Sequence, residues 1–144
     1  MLHDTRKRPR RYDSLVSSLP VKLSELQNDS LREAMATLES RLQVIDKISD
    51  ITFINDSRST SVNATWFALE SVRAEIILIM GGVERDNDYS QLQKLVRERV
   101  RAIVCLGKDT FKIQDALRDD VEIMISTGSM RDAVCLAYHL AKKR

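Results

Sequence analysis

Three short runs limit what this chain can become: "EIILIM" at 75–80, "RAIVCL" at 101–106 and "VEIMI" at 121–125. Each is almost wholly apolar and lacks the in-out alternation of a strand with one wet face. Strands read this way when both faces are buried, as inside a parallel sheet covered by helices on either side. Helical patterns alternate with them, at about 63–72, 89–100, 109–119 and 129–143. Strand followed by helix, four times over, predicts βαβ units with right-handed crossovers. Upstream, Leu42, Val44 and Ile45 predict one strand, Ser49-Asp50 a turn, and residues 51–55 a second strand, so that the two can pair as a hairpin. The expected fold class is α/β: a Rossmann-like three-layer domain with a mostly parallel sheet and an N-terminal antiparallel hairpin strand.

A chain of 144 residues has room for one such domain. Residues 1–28, punctuated by Pro9 and Pro20, read as a basic, irregular arm. "DSLREAMATLESRL" reads as a helix, with Asp29 or Ser30 as its cap and Leu31, Met35 and Leu38 as its apolar stripe. The net charge is +2, but Arg6, Lys7, Arg8, Arg10 and Arg11 stand against Asp4 in the arm. Without those five cations and one anion the remainder carries −2. A near-neutral body argues against a large nucleic-acid footprint. No apolar run approaches the roughly 18 residues of a membrane span, and the charged start has no apolar core after it, unlike a secretory signal. Cys105 and Cys135 lack metal-ligand spacing and read as small buried apolar residues of a reducing, cytoplasmic compartment. His3 and His139 suggest no Ser-His or Cys-His pair. Trp66 and Phe67 read as core, and "LVRERVR" as a solvated helix face with internal ion pairs.

In an open parallel sheet, ligands bind beyond the carboxyl ends of the strands. There this chain places "NDSRSTS", "GGVERDND", "LGKDT" and "STGS". Helix N-termini at that edge attract anions through unpaired N–H groups. Thr60 or Ser61 can cap the helix that follows the first loop. Arg58 and Arg85 bring guanidinium groups suited to carboxylate or phosphate, and Asp56 an acid able to meet a cation or a hydroxyl. The pattern fits a site for an anionic small molecule. Ser, Thr, Asp and Gly are also the ordinary turn and cap residues of βα loops, so spacing alone leaves both readings open. There is no G-x-G-x-x-G among the four glycines, and "LGKDT" lacks the earlier glycine of a phosphate loop. Lys108 therefore reads as a solvated loop residue.

The order of these motifs resembles a known family. "RLQVIDKISDITFINDSRSTSVNATWFALES" resembles the opening of the C-terminal domain of the Mur ligases, most of all the branch that adds D-glutamate. That family has an Arg before a hairpin and an Asn-Asp-Ser-Lys-Ala-Thr-Asn loop after the strand. Residues 55–61 stand in that place here. "IILIMGGVERDNDYSQL", "VRAIVCLGKD" and "MISTGSMRDAVCLAY" continue the resemblance in order, over about residues 30–144. It implies an ATP-dependent ligase of peptidoglycan synthesis, joining D-glutamate to UDP-N-acetylmuramoyl-L-alanine through an acyl phosphate. Carried over by motif, Arg41 and Asp56 would meet ATP, and Arg58, Thr60 and Arg85 would surround D-glutamate. Residues 29–40 would be the linker helix ending a central domain, and 41–144 the C-terminal-like domain.

Departures accompany the match. Arg58 and Arg85 stand where the family has lysine, Ser40 where it has histidine, and Ser61 where it has asparagine. The family's Gly-Lys-Thr phosphate loop and magnesium ligands belong to a central domain, and the UDP-sugar site to an N-terminal one. Neither is in this sequence, nor is the family's final strand with its Ser-Pro-Ala-Cys-Ala-Ser loop. ATP and Mg would serve the full enzyme, with no metal ligand and no catalytic residue expected here, and the chain alone would not catalyse ligation. The alternatives are a stand-alone Rossmann-like binding or adaptor module without ligase activity, and a nucleic-acid adaptor driven by the basic arm.

Overall fold

The apolar runs pair with one another. In the computed structural model, which describes residues 2–4, 42–81 and 87–143, they form the centre of a six-stranded sheet ordered β2-β3-β1-β4-β5-β6. The strands are β1 (Leu2–Asp4), β2 (Gln43–Ile48), β3 (Ile51–Asn55), β4 (Ile76–Gly81), β5 (Val100–Leu106) and β6 (Ile123–Thr127). The helices are α1 (Val62–Ser71), α2 (Gln93–Arg99), α3 (Phe111–Leu117) and α4 (Met130–Lys142). β4, β5 and β6 pair in parallel. β1 is antiparallel to both β3 and β4, so β3 runs in the same direction as β4. β2 and β3 form the antiparallel hairpin. Its turn places Ser49 in the left-handed region at φ 55°. The last strand starts two residues later than the apolar run suggested.

Both faces of the central strands are buried, which is why their sequences do not alternate. Ile76, Leu78, Ile103 and Cys105 face α1, α2 and α3, meeting Leu69, Val72, Leu95, Val96, Ile113 and Leu117. Ile77, Ala102 and Val104 face the other way, against Ala133, Ala137 and Ala141 of α4. Alanine at every fourth position gives α4 a smooth stripe that lets it lie close to the sheet. The outcome is three layers, with α4 alone among the described helices on its face.

The arginines of "LVRERVR" do more than solvate a helix. Arg99 Nη1 donates to the Val72 carbonyl at the end of α1 at 2.8 Å. Arg101 donates to the carbonyls of Leu140 and Lys143 at the end of α4 and pairs with Glu75 at 3.4 Å. Its side chain is only 12% exposed. Two guanidinium groups thus satisfy carbonyls that a helix end leaves without partners. Arg97 Nε donates to the buried Asp120 at 3.0 Å. A cavity of about 610 Å³ opens among these groups at the amino edge of the sheet, lined by Arg73, Glu75, Arg97, Arg99, Arg101 and Asp120 among others. Its lining arginines 97, 99 and 101 already hold protein carboxylates or carbonyls.

Three expectations are corrected. Trp66 and Phe67 are 37% and 54% exposed and pack edge to face on each other at 5.2 Å. α1 turns Ala64, Ala68 and Leu69 inward instead. Cys135 is exposed, while Cys105 is buried, and burial raises the Cys105 thiol pKa above its ordinary value. Residues 2–4, expected within an irregular arm, form a strand between β3 and β4. Backbone ladders ask for no side-chain pattern, so hydropathy does not announce such a strand. The rest of the arm and the helix expected at 29–40 lie outside the described residues. Among the described residues, no helix is long and apolar enough to cross a membrane.

Gly81 ends β4 against β5 with no room for a side chain. A Cβ there would sit 1.9 Å from the Leu106 carbonyl oxygen. The obstacle is backbone, so the ladder itself must yield. Gly81→Ala is expected to cost about 3 kcal/mol or more, read as a lower midpoint in urea unfolding. An unchanged midpoint would refute the close β4–β5 contact.

Candidate functional site

The shared direction of β3, β4, β5 and β6 brings the ends of four strands to one edge. The first loop at that edge is built around its own polar groups. Asn55 Oδ1 accepts the Ser57 N–H at 3.0 Å. The Ser59 N–H donates to the Asp56 carbonyl at 2.9 Å, and Ser59 Oγ donates to Asp56 Oδ1 at 2.7 Å. Ser61, extended at φ −133°, caps α1 by accepting the Ala64 N–H at 3.2 Å. The choice between Thr60 and Ser61 as cap is therefore settled for Ser61, which leaves the Thr60 hydroxyl free of that duty.

What the loop does not use for itself is exposed. Arg58 and Thr60 both face solvent. Asp56 is half-buried at the end of β3. Of the residues singled out in the sequence, the structure thus places Asp56, Arg58 and Thr60 together on one loop. Arg41 and Arg85 lie outside the described residues. Lys108 is exposed, as expected for a solvated loop residue.

The other loops supply turns and caps. After β5, Gly107 adopts φ 129°, a backbone state that glycine reaches without the cost of a Cβ. Its N–H donates to the Thr127 carbonyl at 2.9 Å, joining the β5 and β6 exits. Ser129 caps α4 by accepting the Asp132 N–H at 3.3 Å. Beyond β4, Asp88 accepts from the Ser90 hydroxyl and, at 3.1 Å, from the Ser90 N–H, and so holds the 3-10 turn Tyr89–Leu92 that leads into α2. These bonds lower the Asp88 carboxyl pKa, the Ser90 hydroxyl bond most of all. A lowered carboxyl favours the fold above its unfolded pKa, and that contribution is lost as pH falls through the folded value.

The chemistry available is recognition. An exposed guanidinium beside a hydroxyl suits a carboxylate or phosphate, and a fixed carboxylate suits a hydroxyl or a cation. Among the described residues, no group of three or more His, Cys, Asp or Glu side chains is placed to hold a metal ion. The loop's self-bonding through Ser59 escaped the sequence reading. The one sequence signal for it is a serine three residues after an aspartate, a spacing at which a turn brings the two side chains together.

Comparison with known proteins agrees with the motif order. The chain is 42% identical over 134 residues to a UDP-N-acetylmuramoylalanine–D-glutamate ligase of Christiangramia forsetii, a match covering 91% of this chain and 30% of that protein. It is 34% identical over 136 residues to the enzyme of that name from Porphyromonas gingivalis, covering 92% and 30%. With the enzyme from Salinibacter ruber it is 36% identical over 140 residues, covering 95% and 30%. The chain therefore spans about 30% of the length of the curated relatives it matches. No family model matches it.

The cap assignment has a direct check. Ser61→Ala is expected to cost about 1 kcal/mol in urea unfolding, while Thr60→Ala stays within about 0.5 kcal/mol of the parent. The reverse order would move the cap to Thr60.

Proposed function

We propose, from the premise that this chain belongs to the Mur ligase family as a homologue of the C-terminal domain of its D-glutamate-adding members, that it is the amino-acid-binding part of an ATP-dependent ligase. The full reaction would join D-glutamate to UDP-N-acetylmuramoyl-L-alanine in peptidoglycan synthesis, in the cytoplasm. The observation that carries the proposal is the loop at residues 55–61. It keeps the family's Asn-Asp-Ser opening and its Thr. It secures its own backbone and the start of α1 through Asn55, Ser59 and Ser61. Arg58 and Thr60 are left facing out.

In this reading Arg58, Thr60 and Arg85 receive D-glutamate. Its two carboxylates suit two guanidinium groups, each able to bind in a bidentate fork. Holding the amino acid by its carboxylates leaves its amine free to be aimed, and orientation of that kind accounts for much of the acceleration in two-substrate reactions. Asp56 and Arg41 would meet the nucleotide, Asp56 as an acceptor for a hydroxyl. ATP supplies the phosphoryl group that activates the acceptor carboxylate, with Mg as its counterion. The described residues hold no donor set for Mg, so the ion and the phosphate cradle are assigned to the family's central domain. The UDP-sugar site is assigned to its N-terminal domain. These domains are the proposed partners, and the chain by itself is expected to carry out no ligation. We further propose that residues 1–28 form an arm outside the catalytic unit apart from the Leu2–Asp4 strand, and that 29–40 form a linker helix.

A reading without ligase activity draws on the Arg58 position. Arginine keeps the charge of the family's lysine but is longer, planar and forked. If the site rejects D-glutamate, the chain is a Rossmann-like binding module.

The two readings part in an NMR titration of the isotope-labelled chain with D-glutamate, using L-glutamate as control. The ligase reading expects D-specific amide shifts in 56–61 and 81–85, weakened by Arg58→Ala and Arg85→Ala. A dispersed spectrum that ignores both enantiomers would remove the amino-acid role of Arg58 and Arg85 and leave the binding module.

A further inference from the structure

We propose that residues 29–40 dock as a helix on the outer flank of α1, with the stripe Leu31, Met35 and Leu38 set against Phe67 and Trp66. The hand of the chain selects that face. β1 and β2 are each antiparallel to β3, so they are parallel to each other with β3 between them. Residues 5–41 therefore form a crossover connection. The crossovers β3–α1–β4, β4–α2–β5 and β5–α3–β6 all step in one direction across the sheet, and their helices share one face. The step from β1 to β2 goes the opposite way, between strands that point the opposite way. A half-turn about the sheet normal superposes it on the other three. Right-handed crossovers are the rule, because a twisted strand and a right-handed helix pack back onto a sheet only in that sense. This connection therefore belongs on the face of α1, α2 and α3.

The residues where the connection ends agree. Leu42 is buried and joins the core on that face. Val44 stands opposite Ile54 in the hairpin, so the two side chains share a face. Ile54 lies in the same core, whereas Val44 is exposed. α1 packs against α2 and the Tyr89–Leu92 turn. Over β3 and β2, among the described helices, no other helix continues that layer, and α1 carries the exposed Phe67 and Trp66. Leu31, Met35 and Leu38 recur at helical spacing and offer an apolar face of matching chemistry. A twelve-residue helix spans about 18 Å, and the five residues of β3 span about 17 Å. One such helix covers the strand from end to end. Because Gln43 pairs with Asn55, a helix ending at residue 40 stops at the carboxyl edge, where the 55–61 loop opens.

Trp66 is the single tryptophan of the chain, so its fluorescence reads the cover directly in the full protein. Met35→Asp is expected to shift the emission to longer wavelength and to raise its quenching by acrylamide. Thr37→Asp, off the stripe, should leave both at the parent values. In the isotope-labelled parent, nuclear Overhauser contacts are expected between the Met35 methyl group and the Phe67 ring, a check that holds even where Met35→Asp fails to fold. Trp66 emission indifferent to Met35→Asp would overturn the proposal. So would contacts from Met35 to Ile48 or Tyr138, which would put the connection on the α4 face. Phe67 signals that move with protein concentration, without contacts to Met35, would give the surface to a second copy of the chain instead.

Discussion

A parallel pair of strands has to be covered on both faces, and the ladder between β4 and β5 is where this chain meets that demand. Ile76 to Gly81 lie in register with Val100 to Leu106. Their side chains alternate between a bulky layer under α1, α2 and α3 and an alanine-lined layer under α4. The strands approach so closely at their carboxyl ends that only glycine fits opposite Leu106. Neighbouring elements take their positions from this pair. β6 extends it on one side, and the crossovers carry the helices onto its faces. Arg99 and Arg101, near the start of β5, fasten the ends of α1 and α4 to it.

The same ladder sets the direction of the strand ends, and through it the place where chemistry can occur. β3 is not hydrogen-bonded to β4, because β1 lies between them. Yet it points the same way, so its loop opens at the same edge as the exits of β4, β5 and β6. At the opposite edge Arg97, Arg99 and Arg101 are engaged with carboxylates or helix ends, and they consolidate the fold. At the carboxyl edge the 55–61 loop divides its labour. Asn55, Ser59 and Ser61 bond within the loop or to α1, while Arg58 and Thr60 are presented outward. A loop that satisfies its own backbone can present charged groups without requiring a ligand for stability.

The Mur ligase resemblance and the geometry meet at this loop. The relatives share the sequence over most of this chain, but the chain covers about 30% of their length. In the proposed reading its part is recognition and orientation of an amino acid, whereas phosphoryl transfer calls for a phosphate cradle and a metal that the proposal places elsewhere. Arginine in place of lysine at 58 alters the shape of the recognising group and leaves its charge.

By itself the sequence determined the elements whose signal is local. Continuous apolar runs identified strands buried on both faces, helical periods placed the crossovers, and a small-residue loop before a helix indicated a cap at Thr60 or Ser61. These readings work because periodicity and capping are properties of a few adjacent residues. Tertiary structure decided what depends on distant partners. It inserted residues 2–4 into the sheet, since a backbone ladder needs an open edge and no particular side chain. It turned Trp66, Phe67 and Cys135 outward, since α1 meets the sheet through Ala64, Ala68 and Leu69 and α4 through its alanines. It buried Arg101 because the carbonyls at the end of α4 came within its reach. It also brought Ser59 onto Asp56, a contact that exists only once the loop has closed.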